Sequence, residues 1–220
     1  MVQNLETKAQ NTIDILVRNL FERTADIGFL STDQELLAAA KLPDQLHNAD
    51  SRLAADTRAR LHNYVAKYSV YQNVVLLDAK GRVLIDRLGH YSPADTVDWL
   101  PGKINAATAY FEHYGTLLPQ EQVNSLIYAW KMEEAGKVVG FVALLFNLQE
   151  ESKALFARIL PEQDQSNWTL CGVIDASNQV VFSSDEEFLG AGKTLKVKER
   201  DGLLTCQIGP TSYLTSIKTP

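Results

Sequence analysis

The 220-residue chain has no stretch approaching the ~18–20 consecutive apolar residues that a membrane-spanning helix needs. It has only two cysteines, Cys171 and Cys206, with no CxxC or metal-ligand spacing. Buried free thiols are the expected state, because unpaired cysteine is among the most buried residue types. The four histidines, His47, His62, His90 and His113, form no HxH or HExxH pattern and no His/Cys/Asp grouping of ligand spacing. GxSxG, the P-loop and GxGxxG are also missing. Glu133-Glu134 and Asp185-Glu186-Glu187 lie at turns and read as solvated charges. These absences predict a protein that is not an enzyme and needs no metal or cofactor. No Lys/Arg-rich run occurs, and 21 basic against 27 acidic residues leave a net charge of −6. Binding to nucleic acid through phosphate neutralisation is thereby excluded.

The N-terminal Met1-Val2-Gln3-Asn4-Leu5-Glu6-Thr7-Lys8 is polar and helical, without the apolar h-region of a signal peptide. Taken literally this predicts a cytosolic protein. The alternative is a segment excised from a longer membrane protein, Met1 then being an added start residue. The end of the chain at Ser216-Ile217-Lys218-Thr219-Pro220, in or just after a strand, favours excision.

What is present is a strand-turn-strand pattern that occurs twice. Val74-Val75-Leu76-Leu77-Asp78-Ala79-Lys80-Gly81-Arg82-Val83-Leu84-Ile85 is one copy, and Cys171-Gly172-Val173-Ile174-Asp175-Ala176-Ser177-Asn178-Gln179-Val180-Val181-Phe182 is the other. Each is an apolar run ending in Asp, a turn with Gly or Asn where positive φ is tolerated, and a second apolar run. Two copies roughly a hundred residues apart imply two similar small modules, and a sensor rather than an enzyme.

Around the hairpins the pattern is helical at the start. Leu5, Ala9, Ile13, Leu16, Leu20, Ile27 and Leu30 lie near one face of a helix without a break before Gly28. At ~1.5 Å per residue it is about 45 Å long, enough to serve as a spine for both modules. Ser31 to Glu35 reads as a stop and a capping box for a short helix to Ala40, ended by Pro43. A further helix is predicted from about Asp50 to Tyr68, and the first hairpin from Tyr71 to Arg87. His90 to Gly102 reads as loop and Ile104 to Tyr114 as helix. A second hairpin, Ser125–Glu133 with Lys137–Leu148, turns at Glu134-Ala135-Gly136. Gln149 to Leu160 is an amphipathic connector closed by Pro161. The second module begins near Trp168, and four strands are visible in it where five are usual.

In this order of elements the chain resembles double-Cache sensor domains, the PAS-like extracytoplasmic regions of bacterial chemoreceptors, sensor kinases and diguanylate cyclases. Asn19 to Leu30 is similar to that family's first helix, both hairpins to its apolar-Asp-x-x-Gly-x-apolar turn, and Lys137 to Val142 to its last distal strands. The fold class expected is α+β: a long N-terminal helix followed by two PAS-like modules with antiparallel sheets, the second truncated. The expected domains are 1–68 (helical), 69–148 (membrane-distal ligand-binding module), 149–165 (connector helix) and 166–220 (partial membrane-proximal module).

The resemblance implies a periplasmic sensing domain of an inner-membrane protein, tethered by flanking segments absent from this chain. It implies a small-molecule ligand, an organic acid or another metabolite, under a cap of loops near Asp86 to Gly102. A homodimer through the N-terminal helix is the further partner expected. An amino-acid-binding subset of the family carries Arg-x-Trp-Tyr in the cap and an Asp late in a distal strand. Here Trp99 lacks the flanking Arg and Tyr, and Asn147 stands about where the Asp would be, so an ordinary α-amino acid is not the expected ligand. The candidate ligand contacts are Trp99, Tyr128, Trp130, Asn147, Arg87 and Lys131. Trp99 either closes over an apolar ligand or anchors its own loop. Tyr128 and Trp130 share one strand face and either wall a pocket or pack on a helix. Arg87 and Lys131 either pair a ligand carboxylate or sit in solvent. Two other readings remain: a soluble cytosolic PAS/GAF-like signalling module, and a dimerisation module without ligand.

Overall fold

The computed structural model describes residues 2–48, 50–67, 70–106, 110–160, 169–197, 202–208 and 210–219. The chain divides into two compact units, one formed by residues 21–148 and the other by residues 1–20 with 149–220.

Helix α1, Val2–Ser31, contributes to both units. Leu16, Ile27 and Leu30 of its predicted stripe are buried, whereas Val17, Phe21 and Phe29 are 41%, 72% and 70% exposed. The helix stops at Thr32. Asp33 then caps α2 (Gln34–Ala40), its Oδ1 accepting from the backbone N–H of Glu35 at 3.0 Å and Leu36 at 3.1 Å. Pro43 was expected only to end that helix, but it also starts α3 (Pro43–His47), since the first turn does not need its missing N–H. Helix α4 (Arg52–Lys67) buries Ala54, Thr57, Leu61 and Val65. The predicted end of this helix at Tyr68 lies outside the described residues.

Five strands follow: β1 (Tyr71–Asp78), β2 (Val83–Asp86), β3 (Tyr110–Gly115), β4 (Ser125–Glu134) and β5 (Lys137–Phe146). They form one antiparallel sheet in the order β2-β1-β5-β4-β3. Ala135 (φ 49°) and Gly136 (φ 75°) turn β4 into β5, as a two-residue hairpin of right-handed twist requires. Side chains alternate across the sheet. On one face, Val75, Leu77, Ile127, Ala129, Phe141, Ala143 and Leu145 join a single buried cluster with Val97, Leu100, Ile104, Leu117 and Leu118. The opposite face packs helices. Gly28 of α1 lies against the Trp130 indole, Ala40 of α2 lies beside Gly140, and Tyr64 of α4 stacks on Tyr71.

Between β2 and β4 the expected order of elements is corrected. Helix α5 is Trp99–Ala106, starting inside the segment read as loop and ending within the predicted helix, and Tyr110–Gly115 is strand rather than helix. Pro101 falls in the first turn of α5, where proline is tolerated, so it does not mark a loop here. In β3 the aromatic residues divide between the two faces of an edge strand, Phe111 towards Trp99 and Tyr110 towards Trp130, and β propensity and pairing with β4 outweigh the helical spacing.

The second unit contains α6 (Leu148–Ile159, of which Gln149 onward belongs to it), β6 (Gly172–Ile174), β7 (Val180–Ser183), β8 (Gly202–Ile208) and β9 (Thr211–Ile217). Strands β6 and β7 pair with each other, as do β8 and β9. Its buried residues include Leu155, Phe156, Val180, Phe182, Leu189 and Cys206, with the Phe156 and Phe182 rings 5.8 Å apart. Both cysteines are free. Pro161 and Trp168, the predicted limits of the connector and second module, lie outside the described residues.

The two hairpins match in their hydrogen bonds as well as in sequence. Asp78 Oδ1 accepts from the N–H of Lys80 (2.8 Å) and Arg82 (2.9 Å), and Asp175 Oδ1 accepts from Ser177 (2.7 Å) and Gln179 (2.9 Å). Gly81 (φ 85°) and Asn178 (φ 63°) occupy the same left-handed position. Each also accepts, through its carbonyl, a bond from a later strand-like segment: Val97 N–H in one module and Leu195 N–H in the other.

Candidate functional site

The candidate site is the sheet face roofed by α5, the loop of residues 87–98 before it and the loop of residues 116–124 between β3 and β4. The roof is tied down by carboxylates. Asp86, 2% exposed at the end of β2, accepts from Asn73 Nδ2 at 2.9 Å through Oδ2. The same carboxylate accepts from the N–H groups of Leu88 (3.2 Å), His90 (3.1 Å) and Tyr91 (3.4 Å), so it fixes the first cap loop onto β1 and β2. Glu121 does the equivalent for the loop after β3. Its Oε2 accepts from Leu117 N–H at 2.6 Å and Leu118 N–H at 3.3 Å, and its Oε1 accepts from the Tyr91 hydroxyl. Tyr91 therefore couples the two cap loops. Burial, then the Glu121 carboxylate, pushes its phenol far above the usual range, so it remains a neutral donor. Gln120 Nε2 adds a second tie to Asp95 Oδ1 at 3.2 Å.

Within this frame the six predicted residues separate. Trp99 opens α5, half-buried against the cluster, and its Nε1 donates to Leu117 O at 3.4 Å. Its ring lies 5.7 Å from Phe111 and 5.3 Å from His113, so it joins α5 to β3. Lys131 shares the cap-facing register of Ile127 and Ala129, and its Nζ is 3.0 Å from Glu133 Oε1. Tyr128 and Trp130 occupy the alternate register and point to the helices. Tyr128 is fully buried, and Trp130 packs on Gly28 and stacks with Tyr110 at 5.8 Å. Burial raises the Tyr128 phenol well above its ordinary range. Asn147 follows β5, where its backbone N–H donates to Val70 O at 3.2 Å. Arg87 follows β2. Its Nη1 donates to Gln72 O at 3.0 Å, while its Nε is buried with no partner among the described residues.

On the helix side, Arg23 of α1 lies over the rings of Tyr71 (5.4 Å) and Phe146 (6.0 Å) and pairs with Asp26 at 3.2 Å. The Tyr71 hydroxyl donates to Asp26 Oδ2. Sequence reasoning missed this staple between α1 and the sheet, as it missed Asp86, Tyr91 and Glu121. Its one available signal was Asp86 itself, a carboxylate ending an apolar strand.

Among the described residues no group of three or more His, Cys, Asp or Glu side chains is placed to hold a metal. None of the described helices is long and apolar enough to cross a membrane.

No family model matches the sequence, and no curated protein matches it either. Solved structures do match. The sensor domain of the histidine kinase DctB from V. cholerae superposes with a TM-score of 0.71 at 13% identity, over 96% of this chain and 88% of that one. The ligand-binding domain of the Campylobacter jejuni chemoreceptor Tlp3, in complex with 4-methylisoleucine, gives 0.66 at 15% identity, over 96% and 83%. An extracellular ligand binding receptor from Desulfohalobium retbaense gives 0.57 at 16% identity, covering 99% of this chain and 37% of that one. The fold is therefore the Cache-type, PAS-like fold of sensor domains: mixed helix and antiparallel sheet behind a long N-terminal helix. These matches are to sensing and ligand-binding domains, not to catalytic ones.

Proposed function

We propose that the chain is the sensing domain of a transmembrane bacterial signal transducer, lying outside the cytoplasm. A small metabolite, with organic acids among the classes to be tested, binds in the membrane-distal module (69–148) between the sheet and its cap. The signal passes along α1 and the membrane-proximal module (166–220), with 149–165 as connector. The observation that carries this reading is the cap-roofed sheet face, in a fold shared with a chemoreceptor domain solved with 4-methylisoleucine. A ligand touching both cap and sheet favours the closed state by its differential affinity for it.

In this reading, Trp99 and Lys131 are the predicted contacts that meet the ligand directly. Arg87 and Asn147 border the strand ends. Tyr128 and Trp130 act through α1, since they face the helices. The exposed Val17, Phe21 and Phe29 support pairing of α1 with a second copy.

The test is a thermal-shift screen of the purified chain against organic acids, amino acids, amines, nucleobases and neutral apolar compounds. A binding-saturated protein melts several degrees higher. A hit that Trp99→Ala abolishes, in a variant that still folds, supports the reading. A null result across every class removes it in favour of a ligand-free dimerisation module. Recovery of the full-length parent in the soluble fraction removes the extracytoplasmic location.

A further inference from the structure

We infer that residues 116–124, the loop between β3 and β4, form a flap that opens while the rest of the cap and the sheet stay folded, with the hydrogen bond from Tyr91 to Glu121 as its latch. On the proposed sensing role this flap is the gate of the distal module, and that consequence alone rests on the role.

The two cap loops are fastened by different means. Residues 87–98 are built onto the sheet through the backbone: Asp95 O accepts from Val83 N–H at 2.9 Å, Gly81 O accepts from Val97 N–H at 2.8 Å, and Thr96 bridges to Arg82. The buried Asp86 carboxylate adds the N–H bonds of Leu88, His90 and Tyr91. Among the described residues, the one backbone–backbone bond of residues 116–124 is internal, from Glu121 N–H to Leu118 O at 3.1 Å. The base of this loop is fixed, since Gly115 pairs with Ser125 and Ser125 Oγ donates to Gln72 Oε1 at 2.8 Å. Its links to the rest of the cap are side-chain bonds: Tyr91 hydroxyl to Glu121, Gln120 Nε2 to Asp95 Oδ1 at 3.2 Å, and Trp99 Nε1 to Leu117 O at 3.4 Å. The first ends on a carboxylate and is the strongest of them. Leu117 and Leu118, 1% and 2% exposed, anchor the loop in the buried cluster, while Pro119, Gln120, Gln122, Val123 and Asn124 are exposed. A segment held in this way opens at a lower free energy than the paired strands beneath it. The cluster itself is buried throughout, at 0–4% exposure, so whatever binds there must first move part of it. Leu117 and Leu118 are the part that a local opening moves.

Amide hydrogen exchange of the full chain, followed by NMR across low urea concentrations, tests this without a ligand. The N–H groups of Leu117 and Leu118 bond to the Glu121 carboxylate at 2.6 and 3.3 Å, and they meet water when the flap leaves the cluster. Local opening exposes little surface, so their exchange is expected to be nearly independent of urea. The paired amides of β1 and β5 exchange through global unfolding and are expected to accelerate steeply with urea. Tyr91→Phe removes the latch, and exchange at Leu117 and Leu118 is expected to rise roughly tenfold or more. Gln120→Ala cuts the exposed tie and is expected to raise it about two- to threefold. If Tyr91→Phe does not fold, Gln120→Ala and the urea dependence of the unaltered chain decide. Exchange at Leu117 and Leu118 that climbs with urea as steeply as in β1 and β5 overturns the flap, because the loop then opens only with the whole unit. Tyr91→Phe that speeds exchange in β1 and β5 but leaves Leu117 and Leu118 unchanged overturns the latch. Either failure leaves the sensing role standing, since the thermal-shift screen decides that role separately.

Discussion

The Asp86 carboxylate accepts from Asn73 Nδ2 at 2.9 Å while the same group collects three backbone N–H bonds from the loop that follows it. One side chain thus joins the edge of the sheet to the roof of the site. Asp86→Ala strips the acceptor from four donors at a site only 2% exposed. Each buried donor left unsatisfied costs about 1–3 kcal/mol, less where water can reach the released loop. We expect a loss of about 3 kcal/mol in urea unfolding, with Val83 to Val97 losing amide hydrogen-exchange protection before the helices do. A loss below about 1 kcal/mol would mean that the carboxylate does not hold the loop.

The twin hairpins make opposite predictions at equivalent positions. A Cβ on Gly81 would approach Val97 O to 2.6 Å, and its φ of 85° disfavours any side chain. Gly81→Ala should therefore destabilise the chain by about 2 kcal/mol. Asn178 already tolerates φ 63° in the second module, so Asn178→Gly should change stability by only a few tenths of a kcal/mol. Equal effects at the two sites would refute the equivalence of the turns.

Much of this fold is legible in the sequence because its signals are local. The Asp78 and Asp175 turns, the Asp33 cap and the Ala135-Gly136 turn depend on residues a few positions apart, and the turns hold Gly81, Asn178, Ala135 and Gly136 at positive φ, which few residues accept. Helix α5 and strand β3 are less legible. Trp99-Leu100-Pro101-Gly102 carries two residues that usually break helices, and the strand character of Tyr110–Gly115 depends on pairing with β4. The site is only half legible. Period-two spacing separates Tyr128 and Trp130 from Ile127, Ala129 and Lys131, but which set faces the cap depends on where α1 and α4 pack. That is non-local information. Asp86, Tyr91 and Glu121 were hidden for the same reason, since their partners come from separate segments.

The contact of Gly28 with Trp130 predicts a change of sign with side-chain size. A Cβ at residue 28 would lie 3.3 Å from the indole, tight but at the edge of a ring that can shift slightly. Alanine in place of glycine inside a helix gains about 1 kcal/mol of propensity. Gly28→Ala should therefore be near neutral, the gain offsetting the crowding. Gly28→Val adds branched bulk against the ring and loses most of the propensity gain, so it should cost about 2 kcal/mol. A stabilised valine variant would show that α1 does not press on the sheet at this point.

The Cys171 thiol offers a test of the second unit through its pH dependence. Burial raises its pKa from the ordinary 9.0 to about 11, against smaller opposing effects of the Thr12 side chain and the Gly172 backbone. Because the folded value is the higher one, this thiol favours the folded state fully below about pH 9, and the advantage is lost as pH rises through about 11. The same shift sets reactivity, since only the thiolate is nucleophilic. At pH 8 the folded chain should hold roughly one thiolate per thousand at Cys171, against about a tenth for an ordinary thiol of pKa 9.0. Iodoacetamide should therefore modify Cys171 some hundredfold more slowly in the native chain than in urea, with the native rate rising about tenfold per pH unit up to pH 10. Mass spectrometry of the Cys171 peptide resolves it from Cys206, whose thiol burial also raises. A native rate equal to that of the unfolded chain at pH 8 would place Cys171 in solvent. The packing of the second hairpin against the first residues of α1 would then have to be redrawn, since Thr12 is the side chain on that helix that meets the thiol.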